Sequence, residues 1–168
     1  MYRLNSIKRY GKIGILFFLI SLSVGYFTGL LFVNNTTSLN ADGIEENYNG
    51  NFTEDESDEF DFNQEIKYKK SEREIITIIH EHVISFSLIF FCTGLLLYFC
   101  ELHLKLKSFL IIEPFISTVI TFGGIYLLWL DCNWMKYIIM ISGSMLTITY
   151  CGQVLVIIRE LFFVKKQS

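Results

Sequence analysis

Four apolar stretches, Ile13–Val33, Val83–Cys100, Phe109–Leu130 and Trp134–Ile158, fill most of this 168-residue chain and constrain it more than any other feature. At about 1.5 Å per helical residue, each is long enough to cross a hydrocarbon layer of roughly 30 Å. Backbone groups in hydrocarbon need partners within their own segment, and the alternation of a lipid-facing strand is absent, so the spans read as helices. The expected fold is all-α, a four-transmembrane-helix bundle forming one membrane domain, with spans at about 13–33, 78–101, 109–130 and 134–158. An acidic, largely irregular loop, residues 34–75, separates the first two. An apolar fraction of 52% and a mean hydropathy of +0.43 argue against an ordinary water-soluble domain.

Charge is segregated along the chain. Residues 35–74 carry twelve acids and four bases, a formal charge of −8, which leaves +5 for the rest. Basic flanks resist translocation and acidic segments cross readily. Arg3, Lys8, Arg9 and Lys12 precede the first span, Lys105 and Lys107 lie between the second and third, and Arg159, Lys165 and Lys166 follow the fourth. These regions alternate correctly to share the cytoplasmic side, with both termini there and the acidic loop and the turn at 131–134 outside. Lys67, Lys69, Lys70, Arg73 and Lys136 count against this orientation, and nearby acids only partly compensate. The first span starts like a signal peptide, but its length and the lack of an A-x-A-like site favour a retained anchor.

Short turns force the second, third and fourth helices into antiparallel contact, whereas the long loop leaves the first freer. Helices in lipid meet where small residues allow close approach. Gly25-x-x-x-Gly29 with Ser21 marks the first helix, Ser117, Thr121 and Gly124 the third, and Ser142, Met145, Thr149 and Gly152 the fourth. Trp129, Trp134, Tyr126 and Tyr137 cluster at the outer turn, as amphipathic rings do at a headgroup boundary. Pro114 permits two arrangements: a helix that starts there with Glu113 at its positive end, or a longer helix from Ser108 with a kink. The acidic loop has few large apolar residues, and its cluster Thr53–Glu59 reads as solvated spacer. Tyr48, Phe52, Phe60 and Phe62 offer rings that could dock on a partner.

The most distinctive polar group is His80-Glu81-His82 at the outer start of the second helix. On a helix the two histidines stand about 200° apart, whereas an extended segment would put both on one side, an arrangement suited to copper or zinc through His80, Glu81 and His82. In the helical case His80, Ser87, Gly94 and Glu101 form a stripe expected to face the bundle, with His82 turned outward. A haem b would need His80 with Met135 or Met140, since His103 lies near the opposite face. No cofactor is the leading expectation, with haem b or copper as the alternative. The buried parts of the spans are read as free of charged residues, which argues against transport. Nothing matches a phosphate-binding loop, a nucleophile with its base or a zinc-hydrolase helix, so no enzyme activity is expected. Cys92, Cys100, Cys132 and Cys151 form no C-x-x-C pair and point to no disulfide framework.

His80-Glu81-His82 leading into Phe86–Phe91, then Ile112-Glu113-Pro114-Phe115 and Phe122–Trp129, resembles uncharacterised four-span membrane proteins of Bacteroidetes-type bacteria. The resemblance covers the whole chain and implies a multi-pass protein of a bacterial inner membrane without implying a mechanism. The combined expectation is an accessory or interaction subunit whose partners are the bilayer and other membrane proteins or further copies of itself. No nucleic acid is expected among them.

Overall fold

A computed structural model describes residues 4–51 and 66–163 of the chain. The expectations attached to Arg3, Phe52, Thr53–Glu59, Phe60, Phe62, Lys165 and Lys166 lie outside the described residues. A short 3-10 turn, Leu4–Ser6, is followed by α1 (Arg9–Thr37), α2 (Ala41–Asn49), α3 (Glu72–Tyr98), α4 (Leu104–Trp129) and α5 (Met135–Phe162), with no strand among the described residues. The four long helices hold 26 to 29 residues, about 39–44 Å of helix, enough to cross the hydrocarbon and both interfaces. The chain is a four-span membrane bundle.

Helix α4 is central, packing along both α3 and α5. Small residues set these approaches: a Cβ on Gly124 would stand 3.0 Å from Ile139, and one on Gly152 would stand 3.3 Å from Leu110. Thr121 Oγ1 donates to Ser142 Oγ across the α4–α5 seam at 2.7 Å, and Ser142 in turn donates to Ile138 O at 2.8 Å. The stripes Ser117–Thr121–Gly124 and Ser142–Thr149–Gly152 thus hold helices together, which is what close packing in lipid requires. By contrast, α1 lies on the outside of this trio and buries only Leu19, Tyr26 and Thr37. Nothing stands within 4 Å of a Cβ built on Gly25 or Gly29.

Two ends of the bundle can be distinguished. The basic end gathers the start of α1, the α3–α4 turn and the end of α5. At the acidic end, α2, the 66–71 segment and the α4–α5 turn meet. The loop between α1 and α3 is more ordered there than its composition implies. Its helix α2 builds no core of its own and instead inserts Ile44 and Tyr48, one turn apart, into a cluster formed by Ile75, Phe122, Leu128 and Ile139. That burial pushes the Tyr48 phenol up to about 12. The chain reverses from α1 through Ser38 and Leu39, both at φ 51, and Asn40 caps α2 by accepting from Gly43 N. At Gly50, φ +82, a Cβ would stand 2.7 Å from Lys67 O. Asn51 N donates to Lys67 O and Lys70 N to Tyr48 O, both at 3.0 Å, which ties residues 48–51 to 67–70.

Three of the five bases that count against the orientation have side-chain partners at this end. Lys136 Nζ lies 2.7 Å from both Asp42 and Glu45, Lys69 Nζ lies 2.8 Å from Asp131, and Lys67 Nζ donates to Thr36 O at 3.1 Å. Trp129 Nε1 donates to Lys70 O at 2.8 Å, and Lys69 sits over the Trp129 ring.

Candidate functional site: a polar layer at the proline of α4

Helix α4 begins at Leu104 and runs through Pro114 without a break, so the longer of the two expected helices is the one formed. Proline has no N–H, so the carbonyl of Leu110, four residues earlier, loses its intrahelical donor. A buried carbonyl in hydrocarbon needs another. Gln153 of α5, fully buried, supplies it: its Nε2 donates to Leu110 O at 2.6 Å. The same side chain accepts from Thr93 Oγ1 of α3 at 2.5 Å. One amide therefore joins three helices at the level of the proline. The single Thr93 hydroxyl proton has a second acceptor within reach in its own helix, Ile89 O at 3.0 Å.

Close by, α1 meets α5 through polar rings. Tyr26 and Tyr150 stack with centroids 4.0 Å apart, Tyr150 shares a hydrogen bond of 2.9 Å with Ser23, and Tyr26 donates to Thr147 at 3.3 Å. Phe90 and Phe115 complete this cluster.

Two acidic side chains of the long helices have buried oxygens, and one of them, Glu113, falls within a span whose buried part the sequence reads as free of charged residues. Glu113 lies nine residues inside α4, about 13 Å from its start. Ser117 Oγ donates to its Oε1, while Oε2 is buried without a partner. Glu160 of α5 is 2% exposed; its Oε2 accepts from Glu101 N at 3.2 Å, and its Oε1 is buried without a partner. Span boundaries drawn from hydrophobicity hide both, since one falls at a possible helix start near Pro114 and the other beyond a span ending at Ile158. An ionisable side chain inside the membrane marks a functional candidate by default because its desolvation must be offset. The arrangement thus offers a hydrogen-bonded tie from Gln153 of α5 to Leu110 O, and an incompletely satisfied acid, Glu113, three residues further along α4.

The histidine group is arranged differently from expectation. Residues 79–83 are helical, so the extended geometry that would align His80 with His82 is not formed. The buried face of α3 is Ile75, Phe90, Thr93, Gly94 and Leu97. Of the stripe expected to face the bundle, Gly94 is buried and Ser87 half-buried, whereas His80 and Glu101 are exposed, as is Glu81. His82 is exposed, as expected, and its ring also lies against α4, 5.1 Å from that of Phe122, with Nδ1 donating to Ile78 O at 2.8 Å. The apolar residues, not the heptad of polar ones, decide which side of α3 is buried. Met135 packs within the acidic-end cluster and Met140 is exposed, so neither they nor His80 line a common cavity among the described residues. No group of three or more His, Cys, Asp or Glu side chains converges among the described residues, and all four cysteines are free.

No curated protein and no solved structure matches the chain. A family model described as a transmembrane helical domain matches residues 38–168. The match opens at Ser38, the residue that caps the end of α1. It takes in α2 to α5, including the proline, its glutamine and both buried carboxylates, and leaves α1 outside. The chain belongs to this family of transmembrane helical domains.

Proposed function

We propose that this protein is a non-enzymatic accessory subunit of a membrane complex in a bacterial inner membrane, and that α1 is the helix through which it meets its partner. The observation that carries the reading is the contrast between α1 and the rest. Helices α2 to α5 carry the family match, and α4 and α5 bury nine residues each and α3 five, whereas α1 lies outside the match, buries three and keeps Ser21, Gly25 and Gly29 uncovered. Small uncovered residues on a membrane helix permit a second helix to approach closely.

Both termini lie on the cytoplasmic side in this reading. Support comes from the bases at the basic end and from the pairing of Lys69 and Lys136 with acids at the other. A photo-crosslinking residue at Ser21, in cells, should give one discrete protein adduct, while the same residue at the exposed Val119 of α4 should give none. Identical patterns at both positions would refute the assignment of α1. A reporter fused to the C-terminus that is active only outside the cytoplasm would overturn the orientation.

A further inference from the structure

Between α1 and α5 runs a groove of about 450 Å³, lined by Leu16, Leu19, Ser23, Phe27, Val154 and Ile158 among others. Its few polar atoms are already engaged: Ser23 Oγ with Tyr150, and Thr28 Oγ1 with Val24 O at 2.8 Å. The surface it offers is that of hydrocarbon. The lining extends from Leu16 to Leu31, about 22 Å of helix, which exceeds the roughly 15 Å depth of one leaflet. A single chain entering from the basic end therefore lies along α1 for its whole length, with Val154 and Ile158 of α5 beside its first part.

What distinguishes this groove from an ordinary lipid-facing furrow is the charge at its mouth. Lys12 lies one turn before Leu16 on the same side of α1, and Arg159 follows Ile158 directly and is exposed, as are Lys8 and Arg9. Lys12 gives one of its three donors to Leu161 O at 2.8 Å and keeps two. The neighbouring acid Glu160 is buried and turned toward the Glu101 amide. The mouth is thus cationic. We propose that the groove seats one acyl chain of an anionic phospholipid whose phosphate rests between Arg159 and the Lys8–Lys12 segment. The site is independent of the partner reading above, since Ser21 and Gly25 lie on a different side of α1.

Native mass spectrometry of the full-length protein, released from nanodiscs of equal phosphatidylglycerol and phosphatidylcholine, tests the proposal. The wild type should retain one phosphatidylglycerol in preference to phosphatidylcholine. Arg159→Gln should reduce that preference about five-fold, as loss of one base near an anionic surface does. Ile20→Trp, at an exposed position in the lining, should fill the groove and reduce retention of both lipids without disturbing the bundle. Equal retention of the two lipids by the wild type would overturn the headgroup assignment, and undiminished retention by Ile20→Trp would overturn the groove. A crosslinker at Ile20 that captures protein rather than lipid would give the groove to a partner helix and refute the proposal.

Discussion

Replacing Gln153 by Leu keeps the volume at the centre of the bundle but removes the donor on which Leu110 O depends. Thr93 can then turn its one hydroxyl proton to Ile89 O, 3.0 Å away, so its hydroxyl does not become an orphan. The cost falls on the carbonyl that Pro114 has already deprived of its helical partner. A buried acceptor left unsatisfied costs about 1–3 kcal/mol in water-soluble proteins. Single interhelical hydrogen bonds in membranes average about 0.6 kcal/mol and reach about 1.7, because the unfolded helices also find partners. Pro114 has already removed the Leu110 carbonyl's regular helical donor, so the upper part of that range applies, about 1–2 kcal/mol. The decisive measurement is a double-mutant cycle with Pro114→Ala, followed by reversible unfolding in detergent micelles. Pro114→Ala restores an N–H to Leu110 O, so Gln153→Leu should cost about 1 kcal/mol less in that background. If the two changes add to within about 0.5 kcal/mol, the glutamine is not serving the proline and the reasoning fails.

Ile44→Ala should remove most of what holds α2 to the acidic end, about 2–3 kcal/mol for a large-to-small change at a buried site. Hydrogen exchange in residues 41–49 should accelerate while the unfolding midpoint of the spans stays in place; a shift of the whole transition would show that α2 belongs to the core. Lys136→Met should loosen the same helix, visible as faster exchange in 41–49, and 1 M salt should reproduce part of that effect in the wild type. No change in exchange on either treatment would mean that the pairs with Asp42 and Glu45 contribute nothing to docking. Glu113→Gln keeps an acceptor for Ser117 and should leave stability within about 0.5 kcal/mol of the wild type. A loss several times larger would assign the carboxylate's charge a structural role.

The bundle is legible in the sequence because span length and hydrophobicity answer directly to the thickness of the bilayer. The meeting faces of α4 and α5 are legible too, since Thr121, Gly124, Ser142 and Gly152 are small residues at helical spacing. Less legible is anything that borrows a partner from elsewhere. Ile44 and Tyr48 look too sparse to hold a helix until the bundle supplies Ile75, Phe122 and Ile139. Ser71 and Glu74 do announce the start of α3, as the two halves of a capping box, and they place that start earlier than hydrophobicity alone does. Gln153 is the signal that a search for charged groups passes over: a lone amide in an apolar helix, on the same chain as a mid-helix proline, points to a carbonyl in need of a donor. His80 misleads in the opposite direction, because polarity alone does not decide which side of a membrane helix is buried when Phe90 and Leu97 lie on another.

The lysines resolve a conflict between two electrostatic rules. Bases near the start of α1 and α4 favour a cytoplasmic end, yet a helix's own N-terminal pole repels them. Here each reaches across to a different helix, one that ends where the first begins. Lys12, in the first turn of α1, donates to Leu161 O near the end of α5, and Lys107, in the first turn of α4, donates to Cys100 O at 2.6 Å and Tyr98 O at 3.2 Å at the end of α3. At the acidic end Lys67 does the same for α1 through Thr36 O, and Asn49 Nδ2 donates to Leu128 O at 2.9 Å near the end of α4. All four long helices thus have a terminal carbonyl taken by a side chain from another part of the chain. Carbonyls at helix ends are orphaned by geometry and carry the negative pole, so a cation there is favoured on both counts. Three of these four donors are lysines, so Lys12 and Lys107 at the basic end and Lys67 at the acidic end each close a helix. This gives Lys67 a reason to sit at the acidic end that charge counting alone does not provide.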